Sequence, residues 1–165
     1  MSTDHSAVLV ERVEGHDWAT VRAVRLAALA DSPSAFGSTL EREQSYDEER
    51  WREWSRQVAT FLAFRNGHPV GIAGGMAGSH AGERTVVAMW VHPRHRRAGV
   101  GAALLDAVRS WAHDDGATRL ILWVTRTNDS ALTLYGRAGF TATGDSKPLP
   151  SDPSLTEDKM ALALR

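Results

Sequence analysis

The stretch Val91-His92-Pro93-Arg94-His95-Arg96-Arg97-Ala98-Gly99-Val100-Gly101 decides the fold. It follows an apolar segment at residues 86–91 and precedes a helix-like segment at residues 102–112. Gly99 and Gly101 allow the backbone to approach a ligand closely. The first amides of a helix have no intrahelical acceptor and lie at the positive end of its dipole. The stretch therefore predicts a strand, an anion-binding loop and a helix start in direct succession.

Basic side chains beside the two glycines favour a phosphate ligand. The glycines alone are equally consistent with a tight turn between a strand and a helix. Arg94, Arg96 and Arg97 stand in the same loop, and a solvated basic turn has no need of glycine. The loop lacks the Gly-Lys-Ser/Thr of a P-loop and the third glycine of a dinucleotide-binding fingerprint. We therefore expect a phosphate site that differs from both.

Size and composition limit the classes of protein. The chain has 165 residues, the size of one domain, and residues 1–165 are predicted to form it. The net charge of -1 gives no general attraction to nucleic acid or to an anionic membrane. The absence of cysteine excludes disulfides, thiolate metal sites and a cysteine nucleophile. Residues 1–6 are polar and no apolar run approaches a membrane span of roughly 20 residues, so we expect a cytoplasmic protein without a secretory signal.

Apolar periodicity and turn residues predict alternating strands and helices. Asn66-Gly67 is a strong turn signal between two strands, and residues 35–40 look irregular. Strands are predicted at residues 7–13, 60–65, 69–77, 83–91, 119–125, 140–143 and 157–164. Helices are predicted to begin near Asp17 and Asp47 and to cover residues 99–113 and 129–137. This order predicts an α/β fold with one layered core.

A second motif lies one predicted strand beyond the glycine loop. It reads Asn128-x-x-Ala131-x-x-x-Tyr135-x-x-x-Gly139-Phe140. The first motif reads Arg96-x-x-Gly99-x-Gly101, after a strand that ends in Met89-Trp90-Val91-His92-Pro93. In this order and separation the two motifs resemble those of the GCN5-related N-acetyltransferase (GNAT) family. The resemblance covers essentially the whole chain, because the predicted order of strands and helices also matches that family.

The resemblance implies a fold and a cosubstrate. The fold is an α/β single GNAT-type domain whose mixed central sheet has about seven strands, helices on both faces and a splay between the fourth and fifth strands. The cosubstrate is acetyl-CoA, with its pyrophosphate on backbone amides of the glycine loop and its pantetheine arm along the open edge of the fourth strand. The implied cofactor-binding residues are Met89, Trp90, Val91, Arg96, Arg97, Ala98, Gly99, Val100, Gly101, Ala102, Asn128 and Tyr135.

The same resemblance implies catalytic roles. The backbone amide of Val91 is expected to hold the thioester oxygen as negative charge develops on it. Tyr135 is expected near the sulfur, as the general acid toward the leaving thiolate of coenzyme A. Taken alone, Asn128 is a helix N-cap and Tyr135 is a half-buried packing residue. The combined spacing of the motif favours the cofactor roles.

The base that deprotonates the acceptor amine is where the chain departs from the family. Several relatives carry a glutamate six residues before the last valine of the fourth strand, where this chain has Thr85. Glu83 has the same parity along the strand as Met89 and Val91 and is the expected base through water, although it lies roughly 7 Å further from the thioester than Thr85. His92 and His95 fit better as polar loop residues than as a base or as zinc ligands, and no metal is expected.

Substrate choice in this family comes from the first two helices, their connection, and the loop before the last strand. Residues 41–50 carry a net charge of -3, which favours a cationic amine, although a solvated helix face explains the same charges. Glu41 and Glu43 in this segment are alternative bases. Residues 147–153 contain three prolines and predict a stiff loop that walls one side of the acceptor cleft. The substrate-binding residues expected here are Phe36, Glu41 and Trp90.

The sequence therefore predicts an N-acetyltransferase that moves an acetyl group from acetyl-CoA to a primary amine of a small molecule, by direct attack in a ternary complex. A protein lysine or N-terminal acetyltransferase is an alternative. So is a catalytically silent acetyl-CoA-binding regulatory domain, which the missing glutamate at Thr85 favours. A nucleotide-binding module that uses the same loop would bind ATP as well as coenzyme A. No nucleic-acid or membrane partner is expected, whereas the final strand and the exposed aromatic residues permit a homodimer.

Overall fold

The computed structural model describes residues 7–165 as a seven-stranded mixed sheet with helices on both faces. The strands are β1 Leu9–Val13, β2 Ala59–Arg65, β3 His68–Ala77, β4 Glu83–Val91, β5 Arg119–Thr125, β6 Thr141–Leu149 and β7 Asp152–Ala163. The helices are α1 Trp18–Asp31, α2 Leu40–Gln44, α3 Glu48–Gln57, α4 Val100–Asp114 and α5 Asp129–Arg137. The sheet order is β1-β2-β3-β4-β5-β7-β6, and only β4 and β5 are parallel neighbours. The predicted α/β fold class is confirmed.

Local signals explain the first hairpin and the helix starts. Asn66 and Gly67 have φ of +51° and +76° in the turn between β2 and β3, which is the two-residue turn that matches strand twist. The Asp47 carboxylate caps α3 by accepting a hydrogen bond from the amide of Arg50 at 2.9 Å. Thr39 caps α2 in the same way. The segment expected to be irregular therefore leads into a short helix that the sequence reading missed.

Two hydrophobic cores lie on opposite faces of the sheet. The first, on what we call the α4 face, packs against α4 and α5 and contains Leu104 and Tyr135. The second, on the α1 face, packs against α1 and contains Leu29 and Trp90. Both faces of the central strands are covered, as their long apolar runs predict. Among residues 7–165, no helix is long and apolar enough to cross a membrane.

β4 and β5 separate part of the way along their length. Their parallel pairing stops at Thr85 and Ile121. Beyond that point β5 continues to Thr125 beside β7, and β4 continues to Val91 beside β3. The edges that the two strands turn toward each other are therefore open over their second halves. This is the splay that the family resemblance predicted.

The last hairpin is longer than predicted. Residues 147–153, expected to be a loop, form the end of β6, a two-residue turn and the start of β7. Pro148 pairs with Thr156, and it lies on an edge strand, where the missing amide of proline need not break a ladder bond. The hydroxyl of Ser151 in the turn donates a hydrogen bond to the carbonyl of Phe36. The hairpin turn is thereby tied to the segment between α1 and α2.

Candidate active site

The splay between β4 and β5 opens a narrow cleft of about 60 Å³. Three residues predicted for cofactor or acceptor contacts, Phe36, Met89 and Tyr135, meet there. The lining residues are Ala35, Phe36, Val86, Val87, Ala88, Met89, Leu122, Trp123 and Tyr135. A wider and more open groove of about 1000 Å³ lies between α4 and the ends of β6 and β7, but it contains no predicted site residue. The splayed cleft is therefore the candidate active site.

A β-bulge at Ala88 interrupts the alternation of side chains along β4. Ala88 has φ of +59°, and the register with β3 shifts at this point. Val86 packs on the α4 face before the bulge, whereas Met89 and Val91 pack on that same face after it. The extra residue has moved the α4 face from even-numbered residues before the bulge to odd-numbered residues after it. The expectation that Glu83 shares a face with Met89 and Val91 is therefore wrong.

The backbone amides of Met89 and Val91 point toward the open edge of β4. The next residue, His92, donates its amide to the carbonyl of Val70 at 2.8 Å. Antiparallel pairs alternate between hydrogen-bonded and non-hydrogen-bonded, so Val91, paired with Gly71, turns its amide away from β3. Beyond Thr85, no strand among residues 7–165 pairs with this edge of β4. The two amides are donors in position for a ligand.

The glycine loop brings a helix N-terminus next to the cleft. Gly99 is the N-cap of α4, with φ of +82° and no side-chain cap. A Cβ added to Gly99 would meet nothing within 4 Å, so the approach to the helix end is open. The first intrahelical bond is donated by Ala103 to the carbonyl of Gly99 at 3.0 Å. The amides that precede it, and that are free to bind an anion, belong to Val100, Gly101 and Ala102.

The arginines of the loop have different surroundings. Arg96 donates to the carbonyl of Val91 at 2.9 Å and to the carboxylate of Asp31 at 2.7 Å. These bonds fasten the loop to β4 and to the end of α1. Arg97 is exposed, with φ of +61°, and Ala98 is exposed beside it. Within residues 7–165 Arg97 has no hydrogen bond or ion pair, while Arg96 is held within the protein.

Tyr135 and Asn128 lie at two ends of α5. Tyr135 is buried in the wall of the cleft with its ring 5.9 Å from that of Phe140. Burial raises the pKa of its phenol, so the hydroxyl keeps its proton at neutral pH. The side-chain oxygen of Asn128 accepts a hydrogen bond from the amide of Ala131 at 3.3 Å. Asn128 is therefore the helix cap that its position alone indicates, and its cofactor contact stays a prediction.

Glu83 lies at the opposite end of β4 from Val91. Its side chain is buried, and its carboxylate accepts hydrogen bonds from Arg119 and from the amide of Ser79, both at 3.3 Å. These contacts account for a carboxylate at this position. Together with its position at the first residue of β4, they do not favour Glu83 as the base at the thioester.

The residues predicted to bind the acceptor have three different environments. Phe36 lines the cleft, and the guanidinium of Arg25 lies 4.8 Å from the centre of its ring. Trp90 is buried on the α1 face and donates its indole N–H to Asp31 at 3.0 Å. Glu41 is exposed on α2. Phe36 is the one of the three that the structure brings to the cleft.

Most carboxylates of residues 41–50 are used within the protein. Glu43 is buried and forms a two-point ion pair with Arg25, at 2.9 and 3.0 Å. Asp47 caps α3, and Glu48 pairs with a guanidinium in the same helix at 3.0 Å. Glu43 thus joins α2 to α1, whereas Asp47 and Glu48 stabilise α3 itself. It does not form the free acidic surface that the sequence suggested for a cationic acceptor.

The loop histidines also have local partners. Nδ1 of His92 accepts a hydrogen bond from the amide of Arg94, and Nδ1 of His95 lies 3.1 Å from the guanidinium of Arg65. These contacts fit the prediction that both are polar loop residues. Within the described part of the chain, no three His, Cys, Asp or Glu side chains are grouped to hold a metal ion.

Sequence reasoning missed four residues that lie together beside the cleft, on the α1 face of the sheet. The ammonium groups of Lys147 and Lys159 lie 4.3 and 6.0 Å from the ring centre of Trp123, which lines the cleft. Glu157 is buried 3.5 Å from Lys147, and its burial raises the pKa of the carboxyl despite that lysine. The available signal was that these are the only two lysines of the chain. Without the register of β5, β6 and β7, their convergence could not be predicted.

Comparison with known proteins identifies the family of this chain. Residues 26–140 match the model of the Acetyltransferase (GNAT) family, and the chain belongs to that family. The resemblance inferred from the two motifs is thereby confirmed. The predicted enzyme class, acetyltransferase, is the class of this family.

Individual relatives agree with this assignment. The chain is 30% identical to a mycothiol acetyltransferase from Streptomyces avermitilis over 128 residues, which are 78% of this chain and 41% of that protein. It is 32% identical to the Streptomyces griseus enzyme of the same name over 129 residues, which are 77% of this chain and 40% of that protein. The chain thus spans about two fifths of the length of these curated relatives.

Solved structures share the fold. A GNAT-family acetyltransferase from Streptococcus pneumoniae has a TM-score of 0.78 at 21% identity, covering 96% of this chain and 100% of that one. The yncA structure from Salmonella typhimurium, which is described with its cofactor acetyl-CoA, has a TM-score of 0.77 at 20% identity, covering 97% and 95%. These identities are low, so the likeness concerns the arrangement of the backbone.

Proposed function

We propose that this chain transfers an acetyl group from acetyl-CoA to a primary amine of a small molecule, by direct attack in a ternary complex. The observation that carries the proposal is the open edge of β4, where two unpaired amides face a cleft lined by a buried tyrosine. The choice of a small molecule is supported by the curated relatives, which are named as acetyltransferases of mycothiol and not of a protein.

The residues present fit acetyl-CoA. The free amides at the start of α4, the open space around Gly99 and the exposed Arg97 suit a pyrophosphate. The amides of Met89 and Val91 suit the amide groups of the pantetheine arm, which would lie along β4 like an added strand. Asn128 and the side of α5 would border that arm from the other wall.

When bound, acetyl-CoA supplies an acyl group activated as a thioester. The Val91 amide would donate a hydrogen bond to the carbonyl oxygen and stabilise the negative charge that develops there. Tyr135, whose phenol is protonated at neutral pH, would donate a hydrogen bond to the sulfur and pass it the proton as the thiolate leaves. The acceptor amine would lose its proton to water.

A panel of acceptors assayed by thiol release tests this proposal. The panel contains small amines, amino acids, aminoglycosides, polyamines and lysine peptides, and acetyl-CoA binding is followed by thermal shift. We expect stabilisation by acetyl-CoA and thiol release with small amines. Release with lysine peptides alone would favour a protein acetyltransferase. Binding without release under any acceptor would favour a silent regulatory domain, and no stabilisation would overturn the cosubstrate.

Tyr135→Phe tests the assigned acid. We expect kcat to fall by roughly 10²-fold, with little change in the KM for acetyl-CoA, because the ring packing is kept and the proton is lost. Tyr46 is the other tyrosine of the chain and packs against Trp51, whose ring centre is 5.6 Å away, so Tyr46→Phe is the matched control. Glu83→Gln should leave kcat within a few fold of wild type. Equal activities of the two tyrosine variants would contradict the role of Tyr135.

A further inference from the structure

The acceptor has access to the cleft from one face of the sheet. On the α4 face the cleft is closed by α4 and α5, whose packing is so close that a Cβ on Gly101 would lie 3.1 Å from Leu134. Tyr135 and Phe140 are buried beneath these helices. We therefore place the approach of the acceptor amine on the α1 face, opposite to α4 and α5. The side chains on that face of β5, β6 and β7 decide which acceptors fit.

Trp123 is the central side chain of this surface. Its neighbours in β5, Leu122 and Val124, pack into the core on the α4 face, so Trp123 points to the α1 face. It is half-buried and forms part of the cleft wall. Trp123 therefore borders the cleft on the α1 face, together with Phe36.

Two ammonium groups flank the ring of Trp123. Lys159 is its partner across the β5–β7 ladder, and Lys147 reaches it from β6, the next strand. The chain has 19 basic residues, and its only two lysines converge on this one ring. Lysine differs from arginine here in presenting a compact charge on a flexible stem, which suits binding a small anion that enters and leaves.

The charge of this surface is positive. Glu157 offsets Lys147 at 3.5 Å, whereas Lys159 forms no ion pair with any residue of the described part of the chain. One positive charge is therefore left over beside the aromatic ring. Glu157 is nearly buried, so it holds Lys147 from below and leaves the ammonium groups facing the open side.

We propose that Trp123, Lys147 and Lys159 form a subsite for an anionic group of the acceptor, a carboxylate or a phosphate. The preferred acceptors are then amines that also carry such a group. This inference rests on the acetyltransferase function proposed above. It differs from the cationic amine that residues 41–50 could attract, because most carboxylates there have partners within the protein and the charge beside the cleft is cationic.

Matched pairs of acetylated products test the subsite by isothermal titration, with and without coenzyme A. One pair is N-acetylphenylalanine and its primary amide, and the other is N-acetyl-O-phosphoethanolamine and N-acetylethanolamine. Products carry no titratable amine, so the comparison isolates the anionic group. We expect at least one acid to bind about tenfold more tightly than its neutral partner. The pair with the larger ratio identifies carboxylate or phosphate.

Lysine variants locate the preference. Lys159→Met should weaken binding of the acid about tenfold and leave binding of its neutral partner unchanged. Lys147→Met should have a smaller effect, because Glu157 already offsets the charge of Lys147. Arg109→Met, which removes an exposed cation on α4, is the control. Circular dichroism verifies that each variant folds, and Lys159→Gln serves if Lys159→Met does not.

Two results would overturn the subsite: equal binding of acid and neutral partner by wild type, or an unchanged preference in both lysine variants. Failure of coenzyme A to bind would overturn the proposed function instead. The ratio of acid to neutral-partner binding, measured without coenzyme A, still tests the subsite in that case.

Discussion

Gly99 turns the chain into α4 with a backbone conformation that other residues rarely adopt. Its φ is +82°, and a Cβ there would meet open space, so the cost of a side chain is conformational and not steric. We expect Gly99→Ala to lower the free energy of unfolding by about 1 kcal/mol. The same strain should tilt the first amides of α4 and raise the KM for acetyl-CoA. Urea unfolding and steady-state kinetics measure the two effects.

Gly136 provides the matched control for that substitution. It lies within α5, where a Cβ would also meet nothing within 4 Å and no positive φ is required. Gly136→Ala should raise the free energy of unfolding by about 0.5 kcal/mol, because alanine loses less freedom in a helix than glycine does. If Gly99→Ala is as stable as Gly136→Ala, the conformational explanation fails.

Single residues differ in how far the sequence reveals their role. Gly99 and Gly101 could be recognised because glycine signals special backbone geometry and a close approach. Ala88 could not, because alanine carries no signal of a left-handed conformation, although φ is +59°. The error about the face of Glu83 follows directly from that missing signal.

Arg25 and Glu43 join α1 to α2 through a buried ion pair. Both side chains are more than nine-tenths buried, and the guanidinium also lies over Phe36 in the cleft wall. Glu43→Gln leaves a buried cation without its counter-charge, so we expect a loss of about 3–5 kcal/mol in the free energy of unfolding. Urea denaturation measures it.

Glu48→Gln is the comparison for the buried pair. It removes an exposed i,i+4 pair of α3 and should change stability by about 0.5 kcal/mol or less. Arg25→Met combined with Glu43→Leu should recover much of the loss, because no unpaired charge is left. A loss in Glu43→Gln as small as that in Glu48→Gln would contradict the burial argument.

Asp31 connects the end of α1 to β4 and to the glycine loop. Hydrogen bonds from Trp90, Ser32 and Arg96 lower the pKa of its carboxyl below the ordinary value of 3.8. The folded state therefore favours the ionised form. This contribution is present above about pH 3.8 and is lost as the pH falls through the lower folded value.

Asp31→Asn tests that connection. Wild type should be more stable than the variant near neutral pH, and the difference should shrink as the pH falls below about 4. Thermal melts between pH 3 and pH 7 measure the difference. Asp106→Asn, at an exposed position of α4, should show no such narrowing. A constant difference for Asp31→Asn would argue against the ionised carboxylate as its source.

Elements with strong caps or turns were predicted well, and those without were not. Asp47 and Asn66-Gly67 have local mechanisms that act within a few residues. α2 is only five residues long and shows no periodicity to detect. The extension of β6 and β7 through residues 147–153 depends on an edge position, which is a property of the sheet and not of the segment.

At the scale of the whole molecule, hydrogen exchange should report the open edge of β4. The amides of Met89 and Val91 have no strand partner, whereas Trp90 lies between them in a hydrogen-bonded pair with Ile72. Without ligand we expect the amides of Met89 and Val91 to exchange much faster than that of Trp90. Acetyl-CoA should slow both and leave Trp90 slow throughout.

Amide-resolved NMR exchange measures these rates. Equal protection of all three amides in the free protein would contradict the orientation assigned to this edge. If acetyl-CoA protected only the α4 amides, the proposed pyrophosphate site would be supported and the proposed position of the pantetheine arm along β4 would be contradicted.

The global fold could be predicted because two motifs fix the parallel β4–β5 unit and the remaining elements follow in order. The acceptor surface could not, because Trp123, Lys147, Glu157 and Lys159 come from three strands whose register depends on the complete sheet. A sequence motif is a pattern within one short segment. A surface built from three strands produces no such pattern.

The bulge at Ala88 changes which face of the sheet every later residue of β4 occupies. Before the bulge the even-numbered residues face α4, and after it the odd-numbered residues do. If the bulge were lost and every residue kept, regular alternation from Val86 would move Trp90 into the α4 core and Val91 out of it. Deletion of Ala88 together with the bulge would instead leave both side chains on their present faces. Relatives of this chain should therefore either keep both the bulge and its extra residue or lack both.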